Sequence, residues 1–140
     1  MFVDTNVLVQ ARFTPAPFHA RAGRALDALF RRGEPLRLSR QVMREYLAVV
    51  TRPQTWAVTL PMTDALADIG RLDRDLEILE DGPAVTLKLL GLCRSVAFAG
   101  RQVHDANIVA TMLAYGEARL LTFNEADFLR FRPMIEIVVP

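Results

Sequence analysis

The chain is short of several things. Its 140 residues include one cysteine, one tryptophan and two tyrosines. With Cys93 alone, no intrachain disulfide can form. The surroundings of Cys93, Leu89-Leu90-Gly91-Leu92, predict a buried small hydrophobe. No apolar run approaches the roughly 20 residues of a membrane-spanning helix. The opening Met-Phe-Val-Asp carries no basic stretch ahead of an apolar one, as a secretion signal would. These absences lead us to expect a soluble cytoplasmic protein without membrane contact. Lysine is nearly missing: 16 of the 17 basic residues are arginine. That bias fits GC-rich coding as well as it fits bidentate phosphate contacts, so it decides nothing about partners. Excess charge is lacking too, with 16 acidic residues against the 17 basic ones and a net charge of +1. A nucleic-acid surface is local, and net charge does not report it.

What is present describes a globular chain. Hydrophobic residues make up 51% and charged residues 24%, enough for a real core. No repeat, linker or low-complexity stretch divides the chain, so residues 1–140 are expected to form one domain. Residues 1–4 read as a short buried strand ending on Asp4. Thr5 and Asn6 follow it and suit a helix start. Residues 17–32 carry Ala22, Ala25, Leu26, Leu29 and Phe30 at helical spacing, and Gly33 and Pro35 stop that helix. Leu36 to Ser39 alternate as a strand. Ser39 is placed to cap the next helix, which carries Val42, Tyr46, Val49 and Val50 inward with Glu45 among them. Thr63-Asp64 opens a further helix with a stripe of Leu66, Ile69, Leu72, Leu76 and Leu79, broken by Gly82-Pro83. Two more helical stretches follow, over 84–98 and 103–116. Strands are expected at 119–123 and 134–139, with a short helix through Phe128 and Leu129 between them. Strands separated by helices predict an α/β fold with a central, mainly parallel sheet of about four strands, flanked by helices.

Three of the acids do not fit a solvated face. Asp4 ends an apolar strand, Glu45 lies beside Tyr46 on a helix, and Asp105 opens an apolar helix after the turn Gly100-Arg-Gln-Val-His104. In a parallel sheet, ligands bind at the carboxyl ends of strands. Asp4 occupies such an end, and so do Asn124 and Asp127. Converging carboxylates repel one another and resist burial as anions. The usual remedy is a hard divalent cation such as Mg²⁺ or Mn²⁺, which suits phosphodiester hydrolysis with one ion or two. Each acid alone also has a plain reading as a helix cap or ion-pair partner. Trp56 and Tyr46 read as core aromatics able to stack bases. His104 reads as a turn residue. Arg40, Arg44, Arg101, Arg130 and Arg132 flank these segments and are candidates for phosphate contacts.

Four segments together resemble PIN-domain nucleases. They are Phe2-Val-Asp4-Thr5-Asn6-Val-Leu8, Ser39 followed by Glu45, Val103-His-Asp105-Ala-Asn-Ile-Val-Ala110, and Leu120-Leu-Thr122-Phe-Asn124-Glu-Ala-Asp127-Phe128. They stand in the family's order and span nearly the whole chain. The small size resembles the VapC-type toxins of bacterial toxin–antitoxin pairs. That resemblance implies a ribonuclease that cuts RNA with Mg²⁺ or Mn²⁺, forms a homodimer and is blocked by a cognate antitoxin protein. It implies that Asp4, Glu45 and Asp105 are metal ligands, with Asn124 or Asp127 completing the catalytic set. Thr5, Asn6 and Ser39 would support them. Asn124 departs from the acid often found at its position, which leaves Asp127 to supply that charge. A housekeeping nuclease of the same fold, in RNA maturation or DNA repair, remains a rival. So does an RNA-binding module that has lost the reaction, which Asn124 keeps alive.

Overall fold

The computed structural model describes residues 1–140. The chain opens with β1 (Phe2–Val3), α1 (Thr5–Arg12), α2 (His19–Arg31), β2 (Arg37–Ser39) and α3 (Arg40–Val50). It continues through α4 (Met62–Asp75), β3 (Glu77–Leu79), α5 (Pro83–Ser95) and α6 (Gln102–Ala114). It closes with β4 (Arg119–Leu121), α7 (Glu125–Phe128), a 3₁₀ turn at Leu129–Phe131 and β5 (Glu136–Val138).

The five strands make one sheet in the order β3-β2-β1-β4-β5, and every neighbouring pair is parallel. Phe2 pairs with Arg37 on one side and Leu120 on the other. The strand order reverses at β1, so the crevice between β1 and β4 is the switch point where an open α/β sheet binds ligands. Both faces of the central strands are covered. Phe2, Val3, Leu38, Leu120 and Leu121 are all essentially inaccessible to solvent, which explains why these strands read as apolar runs rather than alternating ones. On the helical side, α1 packs on α2 and α3, α3 packs on α4, and α5 pairs with α6.

The sheet has one strand more than the sequence pattern suggests. Leu72, Leu76 and Leu79 continue a helical stripe, yet α4 stops at Asp75 and Glu77–Leu79 joins the sheet edge beside β2. Three residues of strand carry too little periodicity to stand out from a helix repeat. Several expected core positions also turn outward. Leu66 and Phe30 are exposed, and α4 buries Ala65 and Asp68 instead. Cys93 is exposed rather than buried. It follows the buried Leu92 by one position, about 100° around α5. The helix carrying Asp105 starts at Gln102, so His104 lies in its first turn rather than in the turn ahead of it. Gly100 makes the turn ahead of it with φ of 57°, a conformation that favours glycine. No helix is long and apolar enough to cross a membrane.

Candidate active site

Asp4 leaves β1 and stands at the N-terminus of α1. Its backbone N–H still pairs with the Leu121 carbonyl at 3.0 Å, which fixes the residue at the carboxyl end of the sheet. The carboxylate is buried and accepts from Asn6 Nδ2 at 2.5 Å and Thr122 Oγ1 at 2.6 Å. Asn6 also donates to Thr122 Oγ1 at 3.0 Å and accepts from the Phe123 N–H at 2.9 Å. The Asn124 N–H donates to Thr122 Oγ1 at 2.9 Å. One network therefore ties the end of β1 to the end of β4. Thr122 lies in the fourth PIN-like segment and has no role expected from sequence. Its hydroxyl is the hub of this network.

Glu45 reaches the crevice from α3. Ser39 sets the start of that helix, its buried Oγ accepting from the Val42 N–H at 3.3 Å. Both oxygens of Glu45 are held: Oε2 accepts from Thr5 Oγ1 at 2.8 Å and Oε1 from Gln41 Nε2 at 2.7 Å. Gln41, one turn before Glu45, also donates to the His104 carbonyl at 3.0 Å and accepts from Asn107 Nδ2 at 2.8 Å. It bridges α3 to α6. Gln41 is not among the residues expected from sequence to support the site, although its i,i+4 spacing from Glu45 signals the contact.

Asp105 is half-buried in the first turn of α6, while Asn124 and Asp127 are exposed at α7. All of Asp4, Glu45, Asp105, Asn124 and Asp127 line one cleft of about 980 Å³. The acids feel one another. Burial pushes the Asp4 carboxyl up to about 6; the Thr122 hydrogen bond opposes this, and the charges of Glu45 and Asp105 add to it. Asp105 is raised as well, by burial first and then by the charges of Asp127 and Glu45, with Arg130 and His104 opposing. The donor set is carboxylate and amide oxygen, which is the chemistry of a hard cation such as Mg²⁺ or Mn²⁺. No three His, Cys, Asp or Glu side chains are already disposed around a common ion-sized centre. Asp4 and Glu45 direct oxygens at neighbouring donors instead. By donor chemistry and mutual charge the residues fit the ion.

The sequence model of the PIN domain matches residues 1–132. The chain belongs to the PIN domain family. No curated protein matches it by sequence. Solved structures do match in fold. VapC20 of Mycobacterium tuberculosis, described as a Sarcin-Ricin loop cleaving toxin, aligns with a TM-score of 0.71 at 18% identity, over 99% of this chain and 98% of that one. VapBC2 of Rickettsia felis, bound to a DNA fragment from its promoter, aligns at 0.69 and 18%, over 99% and 96%. A toxin–antitoxin complex from Klebsiella pneumoniae aligns at 0.68 and 18%, over 98% and 94%. At this identity the likeness concerns the fold.

The arginines of this PIN domain separate into two groups. Arg40 is engaged by Glu80 at 2.6 Å, Arg132 by Glu125, and Arg130 by Gln102 Oε1 at 2.8 Å and the Ala97 carbonyl at 3.1 Å. Arg44 and Arg101 line the cleft, Arg44 with only a 3.9 Å approach to Asp81 and Arg101 with no carboxylate partner. Arg52, which the sequence did not single out, lines it too and is equally unpaired. Tyr46 faces the core and bonds to Asp68, whereas Trp56 is half-buried on the cleft wall.

Proposed function

We propose that the chain is a divalent-metal-dependent endoribonuclease and the toxin of a type II toxin–antitoxin pair. The observation that carries this reading is the convergence of Asp4, Glu45, Asp105 and Asp127, from β1, α3, α6 and α7, on one cleft at the sheet's switch point. A structural ion pair would set an acid against a base; here acid faces acid. The toxin role draws on the fold likeness to proteins described as toxins and toxin–antitoxin complexes.

Asp4, Glu45 and Asp105 would hold Mg²⁺ or Mn²⁺, with Asp127 or the neutral oxygen of Asn124 completing the set. Such an ion supplies charge neutralisation at a phosphate and a more acidic water. The chain's own residues do the positioning. Asn6 and Thr122 grip one oxygen of Asp4 and keep its carboxylate from rotating. Thr5 and Gln41 hold Glu45 from opposite sides, so that α1 and α6 share in aiming a side chain carried by α3. Arg44, Arg52 and Arg101 present unpaired or loosely paired guanidinium groups for the RNA backbone. A cognate antitoxin covering the cleft and a homodimeric assembly belong to the same reading. Exposed Leu87 and Leu90 on α5 supply apolar surface for protein contacts.

Cleavage of a labelled RNA pool with Mn²⁺ tests the reading. The wild type is expected to cut, EDTA to stop it, and folded Asp4→Asn to cut at least 100-fold more slowly. Equal cutting by wild type and variant would mark a contaminating nuclease and withdraw this support from the reading. Growth arrest on expression, relieved by a co-expressed partner, tests the toxin role. Arrest with no relieving partner favours a housekeeping nuclease.

A further inference from the structure

The cleft continues past the acids, and its character changes. One helical turn beyond Thr5, α1 presents Val9; one turn beyond Glu45, α3 presents Val49. Both line the cleft, as do Leu89 and Trp56. Trp56 sits on the segment after α3, and that segment is tied back to the helix. Gln54 Nε2 donates to the Val49 carbonyl at 2.9 Å, the Gln54 N–H to the Ala57 carbonyl at 3.2 Å, and the Leu60 N–H to the Val50 carbonyl at 2.8 Å. Phe13, which follows α1 directly, meets the indole edge-to-face at 5.5 Å and 71°. The ring is thus packed against Phe13 and half-buried, and it lines the cleft. Arg52, two residues past the end of α3, lines the same cleft and has no carboxylate partner.

This end of the cleft joins an apolar wall to one unpaired cation, and the same cleft holds the acid cluster. A polyanion that carries flat apolar groups matches the wall and the cation.

We infer that Trp56 forms a nucleobase subsite: its indole stacks on one unpaired base of the RNA while Arg52 holds an adjacent backbone phosphate. This rests on the ribonuclease reading above. Stacking on an aromatic face is worth about 10-fold or more in affinity and requires a base free of its own duplex stack. The subsite therefore selects loops and single strands over paired regions, and it tolerates any base, because every base has a π-face.

Trp56 is the chain's only tryptophan, so its emission reports the subsite directly. The test uses the full chain in EDTA with a short unstructured oligoribonucleotide, following anisotropy of the labelled RNA and tryptophan emission with the unlabelled one. Both signals are expected to saturate at the same midpoint, with emission quenched. Trp56→Leu should weaken binding about 10-fold and Trp56→Phe should recover most of that loss. Arg52→Gln should lower the slope of log affinity against log salt by about 0.7 and leave the saturating quench unchanged. An oligomer with abasic sugars should bind without quenching. Anisotropy that rises while emission stays flat, with Trp56→Leu binding as well as the wild type, overturns the subsite. So does emission that responds only to a partner protein. Cleavage of the same RNA with Mn²⁺, run in parallel, separates the two readings. Cutting with a silent tryptophan removes the subsite alone; neither binding nor cutting removes both.

Discussion

Asp4 carries its charge where almost no water reaches it. It is 5% exposed, two other carboxylates push against it, and the hydroxyl of Thr122 and amide of Asn6 are what hold it. Its carboxyl is raised from 3.8 to about 6, so the folded state favours the protonated form. The stability this group contributes is fully present below pH 3.8 and is lost as pH rises through about 6. At pH 7 without divalent ions the anion therefore costs the fold about 3 kcal/mol relative to its neutral form. Asparagine keeps an oxygen for Thr122 and Asn6 and carries no charge. Asp4→Asn is thus expected to melt higher than wild type in EDTA at pH 7, and the gap should shrink toward pH 4. Thermal melts across that range check it. A variant that melts lower than wild type at pH 7 would mean that the like-charge cluster does not strain this fold.

Between elements, the same logic runs with the opposite sign around Asp68. This acid is buried on α4 and accepts from Arg12 Nε of α1 at 2.8 Å, the Tyr46 hydroxyl of α3 at 2.8 Å and Arg71 of its own helix. Arg12 ends the helix that Thr5 begins, and Tyr46 adjoins Glu45, so the clamp fixes the two helices that meet at the Thr5–Glu45 hydrogen bond. Although burial works against the charged form, the Arg12, Tyr46 and Arg71 partners outweigh it and hold the Asp68 carboxyl below its ordinary value of 3.8. Its contribution is present above pH 3.8 and lost as pH falls through the depressed value. Asp68→Asn should cost about 3 kcal/mol at pH 7, since it leaves two guanidinium groups without their counter-charge and one oxygen to serve three donors. The loss should narrow on acidification below about pH 4. Urea unfolding at pH 7 and pH 3 measures both.

This clamp also shows where sequence reading ran out. Asp68 sits on what reads as a charged outer face, because charge alternation does not reveal that its partners come from α1 and α3. Gln41 and Thr122 stayed silent for a similar reason: they work through single hydrogen bonds between segments distant in the chain. β3 was hidden because Leu76 and Leu79 serve a helical repeat and an edge strand equally. The acids themselves were legible. An anion set in an apolar strand or at the head of an apolar helix contradicts its neighbours, and that contradiction is local.

For the molecule as a whole, the parallel sheet gathers groups from residues 4 to 127 at one edge, so a ligand held there bridges most of the chain. Binding that favours the folded state raises stability by RT ln(1 + [L]/Kd), about 2.7 kcal/mol at a hundredfold excess over Kd. In a domain this size each kcal/mol moves the melting temperature by roughly 3–5 °C. Mn²⁺ should therefore raise the wild-type melting temperature by about 10 °C at that excess, by relieving the repulsion among Asp4, Glu45 and Asp105. Asp4→Asn removes both the repulsion and a ligand, so its melting curve should respond far less. The two proteins are then expected to exchange order: the variant is the more stable in EDTA, the wild type in saturating Mn²⁺. Parallel shifts of both proteins would place the ion away from Asp4. No shift in either would deny the cleft a metal at all, whatever its acids suggest, and would favour the RNA-binding module over the nuclease.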